Sequence, residues 1–221
     1  MAKNNFALFI LFLIVFMMFT VSVKNLDVKP IGPENSEVGF SVLNGTVNEM
    51  FGESNKWDKI TDIFKYISIL CMGFFACLGV YQLLKGKSIK SVDADIICLG
   101  LIYVIMLVFE VIFDKAAINF RPLLEDGELA ASYPSSHTVL IITVIATAMI
   151  EYHYRINRKP VILTLDIICI IIIALGVIGR ILSGQHWLTD IIGGMLLGIS
   201  YIFLFYAFAY KPLNKKVDFN E

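Results

Sequence analysis

The chain has 221 residues, of which 57% are hydrophobic and 17% charged, and its mean hydropathy is +0.76. A soluble domain averages about 45–50% apolar and about 25% charged residues, so this composition excludes a disordered chain and an ordinary soluble enzyme. The formal net charge of −1 excludes the strongly basic surface that a nucleic-acid partner requires. We therefore expect a single polytopic membrane domain over residues 1–221.

Six segments are long and apolar enough to cross about 30 Å of hydrocarbon, which takes about 20 residues of helix. They are residues 6–23, 63–84, 96–113, 137–154, 161–181 and 190–210. The runs are too long for strands and lack a period of two, so they predict an all-α bundle of six transmembrane helices. The first run follows Lys3 and could alternatively be a secretory signal, but its length and the lack of a small-residue cleavage site favour an uncleaved span.

The connections between the spans predict the orientation. Basic residues gather at one side of a six-span arrangement: Lys3, Lys85, Lys87, Lys90, Arg155, Arg158, Lys159, Lys211, Lys215 and Lys216. By the positive-inside rule this side is cytoplasmic, and both termini lie there. The long segment 24–62 is net acidic and lies outside; within it, residues 41–51 are weakly amphipathic and predict a helix on the outer membrane surface. Asn44-Gly45-Thr46 in this segment matches a glycosylation sequon.

The four cysteines lie inside apolar runs, where a thiol behaves as a small hydrophobic group. They are Cys71, Cys77, Cys98 and Cys169. Because no Cys-x-x-Cys or Cys/His metal spacing is present, we expect neither disulfides nor a structural metal.

Polar residues that could take part in catalysis or binding form two groups at the ends of spans. The group between spans three and four contains Lys115, Arg121, Ser135, Ser136 and His137. The group between spans five and six contains Arg180, His186 and Asp190. Two spans separate the groups, so both lie at the same membrane face, which the orientation above predicts to be the outer one.

The cationic and hydroxyl residues suit a phosphate. Lys115, Arg121 and Arg180 bring three cations to one membrane boundary, and such groups bind anionic oxygens well. Ser135 and Ser136 precede an apolar helix, whose first N–H groups and hydroxyls can receive an anion.

The histidines suit nucleophilic catalysis. His186 and Asp190 are four residues apart, so on a helix the carboxylate can hold one imidazole nitrogen protonated and leave the other free to attack. His137 then remains as the proton donor to a leaving oxygen.

These residues resemble the three signature motifs of the type 2 phosphatidic acid phosphatase (PAP2) superfamily, in its membrane lipid-phosphate phosphatase branch. The motifs read Lys115-x5-Arg121-Pro122, Pro134-Ser135-Ser136-His137 and Arg180-x5-His186-x3-Asp190, in the family's order. The third motif is the most specific. The resemblance implies that His186 is the nucleophile, that Asp190 orients it and that His137 is the general acid. It implies that the phosphoryl oxygens are bound by Lys115, Arg121, Ser135, Ser136 and Arg180.

The sequence departs from the family pattern at three positions. Lys115 is one residue closer to Arg121 than the usual lysine, and Asp114 occupies that lysine's position. A shift of one residue turns a helical side chain by about 100°, which puts the role of Lys115 in doubt. Ser136 replaces a usual glycine, and Gly179 replaces a usual serine.

The resemblance implies a metal-independent integral membrane phosphatase without a cofactor that acts through a phosphohistidine. The orientation predicted from the basic residues places its site at the outer face of the plasma membrane. Its partner in the bilayer would be a lipid phosphate or polyprenyl pyrophosphate, such as phosphatidic acid, phosphatidylglycerol phosphate or undecaprenyl pyrophosphate. The short connection 182–189 favours the polyprenyl pyrophosphates by family analogy. Two alternatives stay open: a lipid phosphotransferase with the same site, and a non-catalytic transporter or scaffold that binds anionic lipids.

Four further residues have a structural interpretation. His153 lies near the inner boundary and is expected to be interfacial rather than catalytic. Glu110 and Asp166 lie in or near hydrocarbon, where an interior hydrogen bond is the favoured interpretation and a substrate or proton pathway the alternative. Gly194-x-x-x-Gly198 predicts a close helix-packing face.

Overall fold

A computed structural model describes the backbone of residues 2–218 and the side chains of residues 3–209. Over this range the protein is built from helices: α1 (Ala2–Asn25), α2 (Ser41–Phe51), α3 (Asn55–Gly86), α4 (Ala94–Ala116), α5 (Ser136–Arg155), α6 (Lys159–Ser183) and α7 (Leu188–Asp218). Six of them, α1 and α3 to α7, are long and apolar enough to cross a membrane. The prediction of an all-α protein with six spans is therefore confirmed.

The beginning of α3 differs from the prediction. The helix starts at Asn55, so the connection that we expected over 24–62 ends at Ser54. The reason is packing of the polar first turns against α6. At Gly179 of α6 the two helices approach so closely that a Cβ atom would lie 2.7 Å from Cγ2 of Thr61 and 3.2 Å from the ring of Trp57. The glycine that replaces the family's usual serine is thus explained by this contact.

The short helix α2 agrees with the predicted segment 41–51. One side of it is exposed, including Val42 and Met50. The other side includes Asn44, which is fully buried. Its amide donates to the backbone oxygen of Gly39 at 2.7 Å and to Oγ1 of Thr189 at 2.9 Å, and accepts from the backbone N–H of Thr189 at 3.1 Å. The Asn44 side chain of the folded protein is therefore inaccessible to glycosylation, and it fixes α2 to the start of α7.

Helix α7 occupies the centre of the bundle and packs against α1, α4 and α5. Its contact with α5 depends on two small residues. A Cβ atom on Gly194 would lie 2.9 Å from the backbone oxygen of Ser135, and one on Gly198 would lie 3.0 Å from Cγ2 of Ile142. The predicted packing face is confirmed, and it brings the beginnings of α5 and α7 together.

The opposite end of the bundle holds two of the remaining polar residues, Asp166 and His153. Asp166 accepts hydrogen bonds from His153 Nε2 at 2.8 Å and from the Tyr152 hydroxyl, which links α5 to α6. This agrees with the structural interpretation of Asp166 and His153. Glu110 is on α4, near the other end, and it lines a cavity described below.

Candidate active site

The turn between α6 and α7 carries His186. Helix α6 ends at Ser183, and Gly184 follows with a φ of +68°, a left-handed conformation that favours glycine. A Cβ atom at Gly184 would also lie only 2.2 Å from the backbone oxygen of Gly52. The Ser54 N–H donates to the Ser183 backbone oxygen at 3.1 Å. The connection between α1 and α3 therefore packs on this turn and holds it in place.

Asp190, in the first turn of α7, is fully buried and joins three segments. Its Oδ2 accepts from the Trp187 N–H at 3.0 Å, and its Oδ1 accepts from the Asn119 amide at 3.2 Å. Nδ1 of His186 lies 3.7 Å from Oδ2, which is longer than a hydrogen bond. Catalytic hydrogen bonds are often long in unliganded proteins and tighten when substrate binds. Asn119 is a partner of Asp190 that the motif spacing does not reveal.

The segment before α5 is tied to the same residue. The Ser135 N–H donates to the Asp190 backbone oxygen at 3.0 Å, and the Ser135 hydroxyl accepts from Thr138 Oγ1 at 3.1 Å. The Tyr133–Pro134 peptide bond that precedes it is cis. Ser135 is buried, whereas Ser136 lines the cavity. The second and third motifs thus lie together at one end of the bundle, as the sequence predicts.

Arg180 and His137 contact two carboxylates of α3 that the sequence analysis assigned to a connection. Arg180 is 1% exposed, and its Nη1 donates to Asp58 Oδ1 at 2.6 Å. His137 Nε2 donates to Asp62 Oδ1 at 2.9 Å. Asp58 and Asp62 are separated by one helical turn, and this spacing just before an apolar run is the signal that could have indicated them.

The first motif is only partly assembled. Arg121 lines the cavity, and its Nε forms an ion pair with Glu125 Oε2 at 3.3 Å. Lys115 is exposed near the end of α4 and lies outside the cavity wall, whereas its neighbour Asp114 lines the cavity. Because Lys115 is shifted by one residue from the family's usual lysine position, the side chain next to the cavity is the carboxylate of Asp114.

The cavity has a volume of about 340 Å³ and joins the polar end to the apolar helices. Its polar wall contains Arg121, Ser136 and His186, and its apolar wall includes Phe109 of α4 and Leu197 of α7. His186 is 5% exposed, and neither of its ring nitrogens has a hydrogen-bond partner. Buried polar atoms without partners are rare in folded proteins and mark places where a ligand can bind.

Two further buried nitrogens, on residues whose charges act on His186, have no hydrogen-bond partner. They are Nδ1 of His137 and Nε of Arg180. The Arg121 guanidinium, whose Nε is paired with Glu125, also lines the cavity. The guanidinium groups of Arg180 and Arg121 are donors suited to an anion with several oxygens, and Nδ1 of His137 is a donor when that ring is protonated. Among residues 3–209, no three His, Cys, Asp or Glu side chains are placed to hold a metal ion.

Burial lowers the pKa of His186 well below its usual range, and the positive charges of Arg180 and Arg121 add to this effect. The ring is therefore neutral near pH 7, which is the form required of a nucleophile.

This shift predicts a pH dependence of stability. In the unfolded chain a histidine binds a proton below about pH 6.5, whereas folded His186 does not until the pH is much lower. The unfolded state then binds more protons, so the free energy of unfolding should fall as the pH decreases from about 6.5, by at most about 1.4 kcal/mol per pH unit from this residue. We expect His186→Asn to flatten the decline of the thermal midpoint between about pH 6.5 and 5, measured in detergent. An equally steep decline in both proteins would contradict the assignment.

Comparison with known proteins agrees with this geometry. The model of the PAP2 superfamily matches residues 97–213, more than half of the chain, and this range includes all the predicted site residues. The chain belongs to the PAP2 superfamily. Its structure is similar to the crystal structure of a transmembrane PAP2-type phosphatidylglycerolphosphate phosphatase from Bacillus subtilis, with a TM-score of 0.66 and 15% sequence identity, covering 92% of this chain and 96% of that one. No curated protein matches this sequence.

Proposed function

We propose that this protein is an integral membrane phosphatase that hydrolyses a lipid phosphate through a phosphohistidine intermediate on His186. The observation that carries the proposal is the buried, unpartnered His186 ring, which faces a cavity shared with Arg121. A transporter or scaffold that only binds anionic lipids has no need for a neutral histidine beside a buried carboxylate.

The proposed reaction has two steps. Nε2 of His186 attacks the phosphorus, and a P–N bond forms while the P–O bond to the lipid breaks. His137 donates a proton to the leaving oxygen, so the lipid alcohol departs neutral. Water then attacks the phosphohistidine while His137, now neutral, accepts a proton from it, and the P–N bond breaks to release inorganic phosphate. Arg121 and Arg180 stabilise the negative charge on the phosphoryl oxygens in both steps.

The cavity favours a lipid phosphate monoester as substrate. Its apolar wall, formed by residues of α4, α5 and α7, allows the lipid tail to remain among the helices. Glu110 and Asp114 also line it, and their carboxylates would repel the additional charge of a pyrophosphate more strongly than that of a monoester. The structural neighbour, a phosphatidylglycerolphosphate phosphatase, supports the same choice. We therefore propose that the substrate is a lipid phosphate monoester rather than the polyprenyl pyrophosphate that the short connection 182–189 favoured.

Phosphate release tests the function and the substrate together. Purified protein in detergent, with a metal chelator present, is expected to release inorganic phosphate from at least one member of a panel of phosphatidate, phosphatidylglycerol phosphate and undecaprenyl pyrophosphate. We expect a higher kcat/KM for the monoesters than for the pyrophosphate. No release from any member, with or without the chelator, would reject the phosphatase. Release that occurs only without the chelator would reject metal independence. Release only when an acceptor lipid or alcohol receives the phosphoryl group would indicate the phosphotransferase instead.

We further propose that the site faces outward from the plasma membrane and that both termini are cytoplasmic. The proposal rests on the basic residues of the connections, because positively charged loops are retained inside. A single cysteine introduced as Lys87→Cys, after replacement of the four native cysteines by serine or alanine, is expected to react with an impermeant thiol reagent only after the membrane is disrupted. A matched Glu49→Cys in α2 should react in intact cells. The reverse pattern would place the site on the cytoplasmic side.

A further inference from the structure

Two carboxylates near the beginning of α3 contact the phosphate-site residues of the two other helices. Asp58 contacts Arg180 of α6, and Asp62 contacts His137 of α5, at 2.6 and 2.9 Å. Helix α3 begins at Asn55 and lies outside residues 97–213, which match the family. These contacts therefore belong to a part of the chain that the motifs do not cover.

The contact of Asp58 determines which part of the Arg180 guanidinium is available. Nη1 of Arg180 donates to Asp58 at 2.6 Å and to Thr61 Oγ1 at 3.2 Å, both on α3. Nε of the same side chain is buried and has no partner. The guanidinium is planar and rigid, so fixing Nη1 on α3 fixes the direction of Nε as well.

Asp62 binds one nitrogen of His137 and leaves the other without a partner, as Asp58 does at Arg180. The imidazole donates from Nε2 to Asp62 Oδ1, while Nδ1 is buried and has no partner. A carboxylate on one ring nitrogen fixes the orientation of the ring, and the other nitrogen is then a donor when the ring is protonated. The side chain of Asp62 is 39% exposed and that of His137 is 9% exposed, so the pair lies at the edge of the site rather than in the helix core.

We propose that Asp58 and Asp62 are positioning residues of this site: Asp58 holds Arg180 with Nε directed to the phosphoryl group, and Asp62 holds His137 as the proton donor to the leaving oxygen. The proposal rests on the function proposed above. The two residues act on different parts of the reaction, because Arg180 stabilises charge on the phosphoryl oxygens whereas His137 protonates the leaving group. Their loss should therefore have different kinetic signatures.

The acidity of the leaving group distinguishes the two roles. An alkoxide leaving from a lipid phosphate requires a proton, whereas 4-nitrophenolate is stable without one, so general-acid catalysis matters for the first substrate only. Stabilisation of the phosphoryl oxygens matters for both. A merely structural role of Asp62 would lower the rates for both substrates together. For Asp58, whose positioning role also lowers both rates, the distinguishing measurement is the inhibition constant of inorganic phosphate: a misdirected Arg180 raises it, whereas a smaller fraction of folded protein leaves it unchanged.

The experiment compares short-chain phosphatidate with 4-nitrophenyl phosphate for the full-length protein in detergent. Asp62→Asn is expected to lower kcat/KM for phosphatidate by at least about 10-fold and for 4-nitrophenyl phosphate by less than about 3-fold, since general acids typically contribute 10²–10⁴-fold. Asp62→Glu should recover most of the loss. Asp58→Asn is expected to lower both values by a similar factor. Asp126→Asn, an exposed carboxylate in the connection between α4 and α5, is the matched control and should change neither.

Equal losses on both substrates for Asp62→Asn, or no loss on either, would overturn the role of Asp62. A loss confined to phosphatidate for Asp58→Asn would overturn the role of Asp58. If Asp62→Asn does not fold, Asp62→Glu still tests the proposal. The ratio of its kcat/KM values for the two substrates is expected to match that of the unmodified protein, because a carboxylate is retained. A changed ratio would contradict the proposal. Failure of the proposed function would look different: the unmodified protein would release no phosphate, or His137→Ala would show no preference for the better leaving group.

Discussion

Replacement of His186 by alanine is expected to abolish phosphate release from every lipid phosphate that the unmodified protein hydrolyses. The ring is buried, has no hydrogen-bond partner, is neutral near pH 7, and lines the same cavity as Arg121. Removal of a nucleophile that forms a covalent intermediate eliminates both steps of the reaction. Turnover is measured as inorganic phosphate released in detergent with a chelator present.

A second measurement on the same variant tests the intermediate itself. Brief incubation with a lipid phosphate labelled in its phosphoryl group should leave acid-labile label on the unmodified protein and none on His186→Ala. The matched control is His153→Ala, because His153 contacts Asp166 at the other end of the bundle. This control should keep full turnover. Unchanged turnover of His186→Ala would reject the nucleophile, and label that persists in this variant would assign it to another residue.

The second large effect is expected at Arg180. Arg180→Ala should lose at least about 2–4 kcal/mol of transition-state stabilisation, a decrease of about 30- to 1,000-fold in kcat/KM. Arg180→Lys retains the charge but loses the planar fork, so its kcat/KM should lie between those of the alanine variant and the unmodified protein. The measurement is kcat/KM for the best lipid phosphate of the panel.

Folding must be measured beside activity for these variants. Arg180 is 1% exposed, and its removal leaves the Asp58 carboxylate without its partner, which destabilises a protein when the carboxylate is partly buried. Arg121→Ala is a useful companion, because Arg121 is more accessible and its ion pair with Glu125 is at the surface. The phosphate-binding assignment would be contradicted if Arg180→Lys and Arg121→Ala both kept the kcat/KM of the unmodified protein. Thermal midpoints near that of the unmodified protein would show that these variants are folded.

Much of the site could be predicted from the sequence, because the relevant signals are local. His186 and Asp190 are four residues apart at the start of a helix, and Ser135, Ser136 and His137 directly precede or begin another. The hydrophobic runs fix how many spans separate these groups, and hence that they lie at the same end of the bundle. Each conclusion needs only helical periodicity and the thickness of a bilayer.

The first motif shows where local reasoning ends. The sequence indicated that Lys115 was displaced by one residue, but only the packing of α4 decides that Asp114 lines the cavity and Lys115 does not. Whether a side chain at the end of a helix reaches a site depends on the rotation of that helix against its neighbours, which one sequence does not specify.

The sequence by itself determined the class of fold and the number of spans, and it predicted the residues that we propose to attack and protonate a phosphate ester. Only the tertiary structure decided which groups support them: Asp58 and Asp62 from a helix outside the motifs, and Asn119 on the buried Asp190. The physical reason is that these contacts join residues far apart in the chain. Hydrophobic periodicity records which face of each helix is buried, but the pairing of polar groups across helices depends on how the faces meet.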